Sequence, residues 1–135
     1  PGGVFVSGYG YRPSTQTFHH GVDISTRSDS NPGAAIVSAD DGTVALTPDY
    51  FGGCYNYGHR IEIRHPGRGL VTTYNHLASR SVLVGQKVNR GQKIAVEGST
   101  SCGMITHLHY EIQTGIGLRN GDFNPLKIAH EPPIR

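Results

Sequence analysis

The sequence predicts a mostly β protein: a single domain built on an antiparallel sheet or sandwich. Three observations carry this. Apolar and polar residues alternate in several short runs, the pattern of half-buried strands. With 19 Gly and 8 Pro in 135 residues, the elements are short and the turns many. No segment shows helical periodicity beyond about one turn. A chain of this length favours one domain and is long enough to bury its own core.

Val4 to Val6 reads as a first short strand, and Ser7 to Arg12, with Gly8 and Gly10, as a tight exposed turn. Phe18 to Ile24 follows, with His19 and Asp23 four residues apart. Gly21 and the β-branched Val22 and Ile24 argue against a helix here. A bend at Gly21 between two extended pieces instead brings His19 and Asp23 to one point, and imidazole and carboxylate are both good zinc ligands. His20 is an alternative ligand, but in an extended segment it faces away from His19. Arg27 to Pro32 is loop. Ala34 to Ser38 and Thr43 to Thr47 are strands, and Asp40-Asp41-Gly42 between them is a hairpin signal.

Pro48 to Gly58 is expected to be a loop, with Tyr50, Phe51, Tyr55 and Tyr57 either packed on the domain or walling a groove. Arg60 to His65 and Leu70 to Leu77 are partner strands about the turn Pro66 to Gly69, with His76 near the end of the second. Gly-Gln-Lys-Val from Gly85 and Gly-Gln-Lys-Ile from Gly91 form a small repeat. Such a corner also occurs in lipoyl and biotin carriers, but Lys87 and Lys93 have no hairpin tip on which to be displayed. Glu97 to Ile105 is loop. Thr106 to Ile112 is a strand in which His107, His109 and Glu111 alternate with Leu108, Tyr110 and Ile112. Its two histidines share a face, roughly 7 Å apart. They are then either solvated side chains of an edge strand or a ligand and its catalytic neighbour.

Composition excludes several classes. Net charge is +2 and only 16% of residues are charged, with no basic run of the kind that binds nucleic acid. No apolar stretch approaches the length of a membrane span. The chain starts at Pro1 and is expected to be a domain excised from a longer protein. Cys54 and Cys102 are far apart in sequence, which argues against a thiolate zinc site. They are either one disulfide of an extracellular protein or two unrelated thiols.

His19-x-x-x-Asp23, Tyr74-x-His76-Leu77 and His107-x-His109, in that order, resemble the lysostaphin/LytM-type zinc metallopeptidases, cell-wall endopeptidases also used by phages. The resemblance runs from about Ser7 to Leu126 and includes Ala39 to Val44, Val84 to Ile94 and Gly98-Ser99-Thr100. It implies that His19, Asp23 and His109 hold Zn2+ and that His76 and His107 are the two catalytic histidines outside the ligand set. Three protein ligands leave a fourth position for water. With no His-Glu-x-x-His helix to supply a glutamate base, proton transfer falls to the histidines, and which of the two is the base stays open.

The resemblance also implies a substrate of peptidoglycan peptides, a monomeric domain, and a place outside the cell, at the cell wall or on a phage virion. Tyr9, Tyr11, Tyr55 and Tyr57 are the candidate substrate-binding residues. Cys54 and Cys102 would fall on loops flanking the groove. Ile105-Thr106 stands where the family often has Gly-Pro, so the loop walls depart from the family pattern. The alternative function is a degenerate relative that binds cell wall or activates another hydrolase.

Overall fold

The computed structural model describes residues 4–7, 10–12, 17–19, 21–25, 34–50, 58–98, 108–117 and 120–122. Among them are twelve strands and no helix: β1 Val4–Ser7, β2 Gly10–Arg12, β3 Thr17–His19, β4 Val22–Ser25, β5 Ala35–Val37, β6 Gly42–Leu46, β7 Asp49–Tyr50, β8 Gly58–His65, β9 Leu70–Arg80, β10 Lys87–Val88, β11 Lys93–Glu97 and β12 Leu108–Gln113. All the pairings are antiparallel. One ten-stranded sheet runs β1–β4–β12–β9–β8–β6–β10, with β11 joining β9 to β5 and β7 lying on β8, while β2 and β3 form a separate two-stranded ribbon.

Alternation along the long central strands builds the core. Ile61 and Ile63 of β8, Tyr74 and Leu77 of β9, Val44 of β6 and Ile94 and Ala95 of β11 pack into one cluster, against which Leu108 and Tyr110 of β12 rest. Its one large polar group is satisfied: the Tyr74 hydroxyl accepts from the Ala39 amide at 2.9 Å and meets Thr72 Oγ1 at 2.9 Å. Burial raises the phenol pKa, so this hydroxyl stays neutral.

The expectation of half-buried strands is corrected here. The polar positions of the same strands, Arg60 and Glu62, Thr73 and Asn75, and His109, Glu111 and Gln113, are buried as well. Part of the cover is the segment after β12, where Gly117 N donates to Glu62 Oε1 at 2.8 Å and Gln113 Nε2 donates to Gly115 O at 3.0 Å. Alternation fixes which residues share a face, but not whether water reaches the polar one.

Four local expectations also change. Gly10–Arg12 is not an exposed turn but strand β2, paired with β3. Asp40-Asp41-Gly42 does not close a hairpin, because β5 pairs with β11 while β6 pairs with β8 and β10. Its acidic residues serve as anchors instead: Asp40 pairs with Arg68, and Asp41 Oδ1 accepts from the Arg90 amide at 2.7 Å. The segment expected as loop from Pro48 begins with β7, and β9 continues past His76 to Arg80. The Gly-Gln-Lys repeat forms two like turns. Gln86 N donates to Leu83 O and Gln92 N to Asn89 O, each Gln side chain accepts back from the residue 83 or 89 amide, and Gly85 and Gly91 take positive φ (90° and 82°).

The base of the β7–β8 hairpin is held by charge. Asp49 Oδ1 meets His59 Nδ1 at 2.8 Å and Arg80 Nη2 at 2.7 Å, while Arg80 Nη1 donates to Thr47 O and Pro48 O. The His59 hydrogen bond, reinforced by the Arg80 charge, holds the Asp49 carboxyl below its ordinary pKa. A carboxylate depressed in the folded state stabilises it fully above its unfolded value, about 3.9, and less as pH falls through the folded value. Amide exchange at Arg60, whose N–H donates to Pro48 O, should therefore be steady from neutral pH to about pH 4 once corrected for intrinsic rates, and should lose protection below.

Candidate metal centre

The site forms where β4, β12 and β9 run side by side. Asp23 of β4 is the register partner of His109 of β12, and His109 is in turn the partner of Asn75 of β9. His19 lies in β3 opposite Gly10, and the chain bends at Gly21 between β3 and β4, as the sequence predicts. Gly21 is buried, and no larger residue fits there. A Cβ would sit 2.8 Å from Glu111 Cγ and collide with the carbonyl oxygen of Tyr110. Gly21→Ala must push β4 away from β12 and so separate Asp23 from His109. The expected loss is about 1–3 kcal/mol of stability, read by urea unfolding.

His76 reaches the site through a bulge. Between the pairs Ile61–Tyr74 and His59–Leu77, β9 spends one residue more than β8. The extra residue is taken up at His76, with φ 62°, the only positive φ outside glycine among the described residues. Regular alternation would put Tyr74 and His76 on one face. The bulge instead lets Tyr74 and Leu77 both enter the core while the His76 ring lies edge-on to His109, centroids 5.8 Å apart. A left-handed backbone at a non-glycine residue costs about 1–3 kcal/mol, and such strained positions cluster at active sites and ligand clamps.

Both histidines are buried, at 5% and 4% exposure. His109 Nε2 lies 2.9 Å from Glu111 Oε2. Where Glu111 is ionised, Nε2 is the donor to it, and a neutral ring would then carry its lone pair on Nδ1. Behind Glu111 stands Arg60, wholly buried, which donates to Glu62 Oε2 at 2.9 Å, Asn75 Oδ1 at 2.9 Å, Glu111 Oε1 at 3.1 Å and Gln113 Oε1 at 3.1 Å. Asn75 Nδ2 in turn donates to the main-chain oxygen of His109 at 2.9 Å.

The donor chemistry suits zinc: an imidazole with one nitrogen fixed by a carboxylate, register-paired with an aspartate. Among the described residues no three metal-binding side chains converge. His107, Tyr9, Tyr55, Tyr57, Cys54 and Cys102 lie outside the described residues, as do the side chains of His19, Asp23 and Tyr11. The structure thus brings together the backbones at Asp23 and His109 and the rings of His76 and His109. Sequence reasoning missed Arg60, Asn75, Glu111 and Gln113. For Glu111 and Gln113 the signal was present in His109-x-Glu111-x-Gln113, where both share a strand face with the histidine.

The fold is that of the catalytic domain of lysostaphin from Staphylococcus simulans, with a TM-score of 0.79 over 93% of this chain and 91% of that one, at 24% identity. The chain belongs to peptidase family M23, whose model matches residues 17–125. A zinc-containing peptidase from Vibrio cholerae is also similar, with 30% identity, a TM-score of 0.69, and cover of 90% of this chain and 35% of that one. Among curated relatives, the peptidoglycan DD-endopeptidase ShyA of Vibrio cholerae is 35% identical over 70% of this chain and 20% of its own length. The murein hydrolase activator NlpD of Escherichia coli is 34% identical over 79% and 25%. The chain therefore spans only a fifth to a quarter of these relatives. No helix among the described residues is long and apolar enough to cross a membrane.

Proposed function

We propose that this chain is the catalytic domain of a zinc-dependent endopeptidase that hydrolyses peptide cross-links or bridges of bacterial peptidoglycan, working outside the cell, at the wall or on a phage virion. The observation that carries the reading is the meeting of Asp23 and His109 as register partners beside the bulged His76. Membership of M23 and similarity to a DD-endopeptidase support the substrate class. His19, Asp23 and His109 would hold the metal. When bound, zinc supplies Lewis acidity toward the scissile carbonyl and makes water a nucleophile near neutral pH. The chain's own part is proton transfer. Histidines that titrate near neutrality suit it, and His76 and His107 are assigned to it. Tyr9, Tyr11, Tyr55 and Tyr57 are assigned to the groove wall that holds an extended peptide. Similarity to NlpD favours a second reading, a domain that activates another hydrolase.

The test separates binding from catalysis. His76→Asn suits position 76, because Asn tolerates a left-handed backbone better than Ala does. His76→Asn and His107→Ala should each keep zinc while wall hydrolysis falls at least about 100-fold, the usual range for a lost general acid or base. Zinc lost from either variant would make that histidine a ligand. Undiminished hydrolysis in both would remove them from the reaction.

A further inference from the structure

We infer that Glu111 is a positioning residue for the metal: it fixes the tautomer and the ring orientation of His109 so that Nδ1 is the nitrogen offered to zinc, and Arg60 holds Glu111 in place. This rests on the assignment of His109 as a ligand.

The carboxylate is used at both oxygens. Oε2 faces His109 Nε2 at 2.9 Å, while Oε1 accepts from Arg60 Nη1 at 3.1 Å and Thr73 Oγ1 at 3.2 Å. Its three partners come from three strands, His109 from β12, Arg60 from β8 and Thr73 from β9. The strand helps, since His109 and Glu111 are two residues apart on β12 and share a face. Asn75 ties the same network to the His109 backbone by accepting from Arg60 and donating to His109 O. Ring and main chain of the proposed ligand are thus held by one buried cluster.

Charge points the same way. With His109 neutral, the one guanidinium of Arg60 faces two carboxylates, Glu62 and Glu111, and all three side chains are fully buried. Glu111 is thus held by a buried guanidinium at one oxygen and presents the other to His109. A carboxylate behind a ligating imidazole also makes the ring a better donor, and losing such a partner typically costs about 10–100-fold in metal affinity. Glu111→Gln keeps the shape but offers a single acceptor oxygen. If that oxygen serves Arg60, the amide NH2 faces the ring, Nε2 must accept, and the proton moves to Nδ1, where it blocks the metal. If the amide turns over, Arg60 and Thr73 lose their acceptor.

The first test needs no variant. Long-range 1H–15N correlation spectra of the metal-free protein should show the His109 ring protonated at Nε2. A ring protonated at Nδ1 would overturn the inference. The second compares zinc affinity, by competition with a chromophoric chelator, and the visible spectrum of the cobalt-substituted protein. Glu111→Gln should bind zinc about 10–100-fold more weakly and shift the cobalt bands, and His109→Ala should bind zinc negligibly. If His109→Ala binds zinc like the parent, the ligand assignment fails and the inference with it. If His109→Ala loses zinc but folded Glu111→Gln keeps parental affinity and spectrum, the positioning role alone is wrong.

Discussion

His109→Ala should contain no zinc after dialysis against the metal and should leave purified cell walls intact, while its circular dichroism stays that of a β protein. The expectation follows from position. His109 sits opposite Asp23 of β4, so two of the three proposed ligands meet as register partners on neighbouring strands. Removing one of three protein ligands undoes a catalytic zinc site. The fold should survive, because the core cluster lies on the other face of β12, through Leu108 and Tyr110. His20→Ala is the matching control and should keep both metal and activity, since His20 is not assigned to the ligand set. Full zinc occupancy in His109→Ala would reject the site.

Arg60→Leu should be the most destabilising single change in the sheet. The side chain is fully buried and donates to four residues, two of them carboxylates. Removing the cation leaves Glu62 and Glu111 buried without their charge partner, a loss of about 3–5 kcal/mol. In a domain of this size that lowers the melting temperature by roughly 10–20 °C. Neutralising the carboxylates as well, with Glu62→Gln and Glu111→Gln in the same chain, should restore much of the stability but not the zinc affinity. Thermal unfolding of the single and triple variants reads both. A melting temperature within a few degrees of the parent for Arg60→Leu alone would mean that the network contributes little to the fold.

Much of this was legible in the sequence. Period-two alternation identified β8, β9 and β12, and Gly21 between two extended pieces marked the bend that leads into β4, where Asp23 lies opposite His109 of β12. What was not legible depends on long-range pairing. The Asp40-Asp41-Gly42 signal is a local preference, and the strands flanking it found other partners. The bulge at His76 comes from a register mismatch between β8 and β9 that neither strand encodes alone. Burial of Arg60, Glu62 and Glu111 escaped notice because alternation assigns faces without saying what covers them. A buried guanidinium is tolerated only with its acceptors in place, and those come from β8, β9 and β12 together.

Zinc-dependent cleavage is tested by mass spectrometry of muropeptides released from purified peptidoglycan of known bridge type by the zinc-loaded chain, with metal content measured on the same sample. A single zinc per chain is expected, with products that carry a new free amino terminus at a cross-link or bridge, absent when the zinc is chelated and restored when it is returned. A muropeptide profile unchanged at full zinc occupancy, across walls of differing bridge type, would contradict this expectation and leave activation of another hydrolase as the reading to pursue.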